Sequence, residues 1–215
     1  MSQAKLNLPL PPGFALEQYR IERTLSHGGF SIVYLARDAN GDKVAIKEYL
    51  PNFIALRGED DLQPSVEDTQ RSAFNHGLRC FFEESRALAG LNHPNVVRVL
   101  NFFRANGTAY LVMKFEHGRT LHEHVKKHTG TLSEDFIRGT FGRLLNGLRE
   151  VHSHKLLHLD IKPTNIILCE RGAVADVAKV VDFGLVKEIH RDAGASTQTI
   201  LGTPAYVAPE AVTDP

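Results

Sequence analysis

Residues 19–50 restrict the fold of this chain more than any other stretch, because they hold three alternating runs joined by connections too short to cross a sheet. YRIERTL (19–25) is followed by the small-residue turn SHGGFS. IVYLA comes next, then DANGDK with its Asn40-Gly41 pair, then KVAIKEYL. Parallel neighbours need a crossover of a dozen or more residues, so such short connections predict an antiparallel meander. From Phe74 to Leu91 the period changes: Leu78, Phe82, Ser85, Leu88 and Leu91 recur at helical spacing until NHPN (92–95) breaks the pattern. VVRVLNFF and TAYLVMKF, joined by RANG, read as two more strands. The first half is therefore expected to be a five-stranded antiparallel sheet with one helix.

The flanking segments read differently. The proline-rich start is expected to be a tail, taken as 1–18, and the polar, acidic stretch 51–72 a solvated loop. In the second half EHGRT (116–120) reads as a connector. Ser133 is a good N-cap with Glu134 and Asp135 at the positive end of the helix dipole. That helix is expected to run to His152, with Ile137, Phe141, Leu144, Leu145, Leu148 and Val151 on one face. NIILC and AKVVDFG resemble a hairpin, and 185–215 is irregular. The class is α+β.

Composition removes several function classes. With 25 basic and 25 acidic residues, the chain has no electrostatic case for nucleic acid or an anionic membrane. No apolar run approaches the roughly 18–20 residues that span a bilayer, so no membrane segment is expected in this chain. Cys80 and Cys169 are in no metal-like spacing, and a cytoplasmic location fits their use.

Five motifs carry chemistry. Gly28 and Gly29 allow backbone N–H groups to approach phosphate oxygens, although a glycine turn between strands is more often a plain hairpin. Lys47 ends the apolar run VAIK. The bland reading is a solvated lysine; the sharper one is a phosphate-reaching cation held by a carboxylate on the following helix. Glu84 shares the face of Leu88 and Leu91, so it, rather than Glu83, is the expected partner. HLDIKPTNI (158–166) is the strongest motif. Asp160 can accept a proton from an attacking hydroxyl, Lys162 can neutralise a transferring phosphoryl group, and Asn165 offers an amide oxygen to a hard metal. The alternative is a polar loop. DFG (182–184) adds a carboxylate after an apolar strand, and GTPAYVAPE (202–210) follows.

In this order, from about residue 13 to 215, the motifs resemble the protein-kinase family, and KEYLP with LPPGFALEQYRIERTL looks like its bacterial serine/threonine members. The resemblance implies a bilobal fold: N-lobe 19–113, hinge 114–118, and a mainly helical partial C-lobe 119–215. It implies ATP and Mg²⁺, and protein as substrate. Lys47 would meet the α/β-phosphates and pair with Glu84; Asp160 would be the base and Lys162 the γ-phosphoryl cation; Asn165 and Asp182 would hold Mg²⁺. Leu25, Val33, Ala45, Met113 and Ile167 would line the adenine site, with backbone groups of Lys114, Phe115 and Glu116 at its edge. Leu88, Val99, His158 and Phe183 would form an apolar stack, and Thr203 with Lys162 resembles the Ser/Thr rather than the Tyr branch.

The chain departs from the family pattern in places. Ser26 and Ser31 replace loop glycines, so a stiffer loop is expected. Leu159 replaces the Arg that reads an activation-loop phosphate, so no switch through Ser196, Thr197 or Thr199 is expected by that route. The interval from Lys47 to Glu84 is long and implies an inserted loop at 51–72. The chain stops soon after Glu210, so the C-lobe is expected to be truncated, leaving Ile137, Phe141, Leu145 and Leu148 partly exposed. The competing expectations are a catalytically impaired nucleotide-binding module and a small-molecule phosphotransferase.

Overall fold

A computed structural model describes residues 7–58, 61–128, 130–171, 174–180, 187–188, 203 and 205–209. Chain contacts divide it into a first unit, Met1–Gly90 with Arg98–Phe115, and a second, Leu91–Val97 with Glu116–Pro215.

The first unit is a six-stranded antiparallel sheet in the order β1-β2-β3-β4-β6-β5. Its strands are β1 (Ala15–Leu16), β2 (Tyr19–His27), β3 (Ser31–Arg37), β4 (Lys43–Tyr49), β5 (Val99–Ala105) and β6 (Thr108–Lys114). Five of these are the expected strands; β1 is an added two-residue edge paired to β2. Helix α1 (Arg71–Ala89) packs against β5 and β6.

Register sorts the side chains into two faces, because successive residues of a strand alternate. Opposed pairs Leu35–Ala45 and Ala45–Met113 share one face with Val33–Lys47 and Lys47–Leu111. The other face carries Ile32, Tyr34, Ala36, Val44, Ile46, Tyr110 and Val112, which form the core cluster with Leu10, Leu16, Leu50 and Ala55.

That cluster corrects two expectations. Residues 7–18 are no tail: Leu10 and Leu16 are buried, and the Leu10 amide donates to the Tyr34 hydroxyl at 3.1 Å. Nor is 51–72 a uniform solvated loop. Ala55 and Arg57 are buried and Leu56 bridges to Ser65, whereas 61–63 and 67–70 are exposed. The sheet's second apolar face needs a cover, and these two segments provide it.

Residues 91–97, expected in the N-lobe, group with the second unit. The Val97 amide donates to Val180 O at 3.0 Å and the Val180 amide to Asn95 O at 2.9 Å. This unit holds β7 (Gly118–Thr120), α2 (Leu121–Lys127), α3 (Glu134–Ser153), β8 (Leu156–Leu157), a 3-10 turn (Pro163–Asn165), β9 (Ile166–Arg171), β10 (Val174–Val180) and β11 (Lys187–Glu188). β9 and β10 pair as the expected hairpin, and β7 adds to β9. The Ser133 hydroxyl caps α3 by accepting from the Phe136 amide at 3.2 Å. Thr140, Leu144, Gly147 and Val151 are its buried face. Gly147 is required there, because a Cβ would lie 2.9 Å from the Asn95 carbonyl oxygen. On α3, Ile137, Phe141 and Leu145 are exposed. Among the described residues no helix is long and apolar enough to cross a membrane.

Candidate active site

Strand register places Val33, Ala45, Lys47 and Met113 on the same face of the first unit's sheet. Leu25 is the extra residue where the β2–β3 register shifts between Thr24 and Ser26, and it is half-buried. Lys47 is buried on β4. On α1, Glu83 is exposed and Glu84 half-buried, as expected from one helix having one inward face. Burial pushes the Glu84 carboxyl up from its ordinary 4.5 to about 8, and the Lys47 charge pulls it back in part.

This shift has a definite consequence for stability. Between the two values the folded chain keeps a proton that the unfolded chain releases, so the contribution is full below 4.5 and lost as pH rises through about 8. The melting temperature is therefore expected to fall from about pH 5 to about pH 8, and Glu84→Gln to flatten that fall. Thermal melts of both proteins check this; the same slope in the variant would rule out Glu84 as its source.

The glycine turn closes on itself, with the Gly28 amide donating to Ser31 O at 2.9 Å. Met113 is buried and Lys114 exposed, the Lys114 amide donating to Arg98 O at 2.9 Å. Phe115 is half-buried, with the Lys43 ammonium 6.0 Å from its ring centre. Leu88 and Val99 are buried in the first unit.

In the second unit, Asp160, Lys162, Asn165 and Thr203 form one hydrogen-bonded group. Asp160 Oδ2 lies 2.7 Å from Lys162 Nζ, and Oδ1 accepts from Thr203 Oγ1 at 2.7 Å. Lys162 Nζ also donates to Thr203 Oγ1 at 2.8 Å. Asn165 Nδ2 donates to the Asp160 carbonyl at 2.9 Å and to Oδ2 at 3.1 Å. Local backbone explains the convergence. Leu159 adopts φ 61°, a left-handed conformation uncommon for a side chain of this size, and Pro163 opens the 3-10 turn that brings Asn165 back to Asp160. Burial alone would raise the Asp160 carboxyl. Hydrogen bonds from Lys162 and Thr203, the Lys162 charge and the Asn165 amide together hold it below its usual value. His158 is buried, its Nδ1 3.3 Å from the Asp160 amide. Ile167 pairs with Lys179 and Thr120. Asp182 and Phe183, together with Ser196, Thr197, Thr199 and Glu210, lie outside the described residues.

Sequence reasoning missed two contacts. Thr203 touches Asp160 and Lys162, a contact that the GTP motif does not signal. Glu116, expected to offer only backbone, makes a buried ion pair with Lys179 at 2.6 Å. Nothing in the local pattern signals the second, since the partners are 63 positions apart.

Comparison with known proteins identifies the family. Residues 19–215 match the protein kinase domain family. The chain is 31% identical over 196 residues to "Probable serine/threonine-protein kinase PknB" of Lactococcus lactis, covering 90% of this chain and 28% of that protein. It is 34% identical over 207 residues to "CBL-interacting protein kinase 19" of Oryza sativa, covering 94% and 35%. A solved structure titled "PpkA-294 apo form" superposes with TM-score 0.73 at 33% identity, over 82% of this chain and 62% of that one. The chain thus spans about a third or less of the curated relatives it matches here. With the family matched across residues 19–215 and the kinase-like fold shared at this identity, the chain belongs to the protein kinase family.

Proposed function

We propose that this chain carries the catalytic residues of a serine/threonine protein kinase that moves the γ-phosphoryl group of ATP to Ser or Thr hydroxyls of proteins. The observation that carries the reading is the Asp160 group, in which Lys162, Thr203 and Asn165 all hold one carboxylate. Because that carboxylate is held below its usual range, it is ionised at neutral pH and is a weak base. Its role is to accept a hydrogen bond from the acceptor hydroxyl and take the proton late, as the oxygen–phosphorus bond forms and the bond to the leaving ADP oxygen breaks. Lys162 and Asn165 take the lone pairs of Oδ2 and Thr203 one of those on Oδ1, leaving the second lone pair of Oδ1 for the hydroxyl. Lys162 is placed to offset charge on the transferring group, and Lys47, on the sheet face with Val33, Ala45 and Met113, is the cation for the inner phosphates.

The donor set suits a hard cation. Asn165 spends its amide nitrogen on Asp160, which turns its amide oxygen to the ligand role, and Asp182 is assigned the carboxylate by its motif. Bound Mg²⁺ supplies neutralisation of the phosphate oxygens. Leu25 and Ile167 belong to the adenine-lining set, with the backbone of Lys114, Phe115 and Glu116 at the edge. Cys80 and Cys169, held as thiols rather than as a disulfide, fit a reducing cytoplasm, and the balanced charge gives nucleic acid no attraction.

Acceptor choice tests the reading. With ATP and Mg²⁺, label from the γ-phosphate is expected on serine and threonine of a generic protein, and neither on a tyrosine-only peptide nor on a small alcohol. Label on the alcohol in preference to protein would make the chain a small-molecule phosphotransferase.

A further inference from the structure

The glycine turn is tied to the start of the insertion. The Leu50 amide donates to Phe30 O and the Asn52 amide to Gly29 O, both at 2.9 Å. The two phenyl rings at the contact, Phe30 and Phe53, meet edge to face with centres 5.1 Å apart and planes at 77°. They are 57% and 62% exposed, so each ring covers the other rather than entering a core. The insertion is itself anchored. The Ala55 amide closes a turn onto Pro51 O at 2.9 Å, and Asn7 Nδ2 donates to Ala55 O at 3.0 Å. Arg57 is fixed to buried Glu48. A rigid post therefore stands against a turn whose middle residues are Gly28 and Gly29.

We propose that Phe53 is a positioning residue: through Phe30 it holds the glycine turn in the conformation that receives the nucleotide phosphates. The proposal rests on the ATP reading above for its ligand, and on the contacts alone for its mechanics. Phe53 touches no reacting group; it limits how far the turn departs from its bonded position. A turn loosened at this point loses pre-organisation toward the triphosphate, while the adenine-lining residues on the sheet face are unaffected. An edge-to-face pair of this kind corresponds to a change of about two- to tenfold in an equilibrium constant.

The experiment compares Phe53→Ala, Phe53→Tyr and the unaltered chain in two readouts. The first is affinity for ATP and for adenosine, which lacks phosphates. Phe53→Ala is expected to weaken ATP by about two- to tenfold and adenosine by less than about twofold, with Phe53→Tyr restoring ATP affinity. The second is hydrogen exchange at the Leu50 and Asn52 amides, expected to quicken in Phe53→Ala and to return in Phe53→Tyr. Equal losses for ATP and adenosine, ATP binding that is unchanged or tighter in Phe53→Ala, or unchanged exchange would each overturn the proposal. If the unaltered chain bound no ATP while exchange still quickened in Phe53→Ala, the holding contact would stand and the nucleotide reading would be what fails.

Discussion

Arg57→Ala is expected to lower the unfolding free energy by about 3–5 kcal/mol, the usual cost of leaving one member of a buried ion pair behind. The pair is nearly inaccessible, with side-chain exposures of 2% for Arg57 and 0% for Glu48. It is bidentate: Arg57 Nη1 lies 2.6 Å from Oε1 and Nη2 2.8 Å from Oε2. The Tyr34 and Tyr110 hydroxyls donate to the same carboxylate at 2.6 and 2.7 Å. Burial, followed by the Glu48 charge, pushes both phenols up, which keeps them protonated donors. Removing the guanidinium leaves the Glu48 charge with only these neutral partners in the core. It also removes the Nε–H bond to Leu8 O at 2.8 Å, which holds residues 7–10 on the sheet. Urea denaturation checks this through the midpoint at constant slope. A loss below about 1 kcal/mol would mean that water reaches Glu48 in the variant.

Asp160→Asn is expected to reduce the turnover number by about 10²- to 10⁴-fold, the range typical of a positioned acid–base group. The amide keeps the shape of the carboxylate but not its charge, so it cannot take the hydroxyl proton. The 2.7 Å contact with Lys162 also ceases to be an ion pair. ATP affinity is expected to change by no more than about fivefold, because Lys47 and the residues proposed to line the adenine site are untouched. Rapid-quench turnover beside calorimetric ATP titration measures both quantities. A fall in turnover of less than about tenfold would remove Asp160 from the base role.

The parts legible in the sequence are those whose cause is local. β2 to β6 follow from alternation and short turns, and α3 follows from Ser133 and its apolar period. Helix α2 carries a local signal in the capping box of Thr120 and Glu123, but its 7 residues are too few for an apolar period to appear. β1, at two residues, is too short for any period to appear. The Glu48–Arg57 pair was illegible for a different reason. Charged residues read as solvated unless a partner is known, and here the partner is fixed by the fold, with Asn7 accepting from the Arg57 amide at 2.7 Å. Thr203 reaches Asp160 across 43 positions, so the motif order gave the members of the site and the fold gave their contacts.

The most direct test of the kinase reading is the rate of γ-phosphate transfer from ATP to a serine- and threonine-containing protein by the unaltered chain, with Mg²⁺ present and then chelated. It is measured beside the ATP-induced rise in melting temperature. The reading predicts a rise in melting temperature and steady transfer that stops when Mg²⁺ is removed. A rise in melting temperature with no transfer at any Mg²⁺ concentration would contradict it, and would make this chain a nucleotide-binding module without phosphotransferase activity.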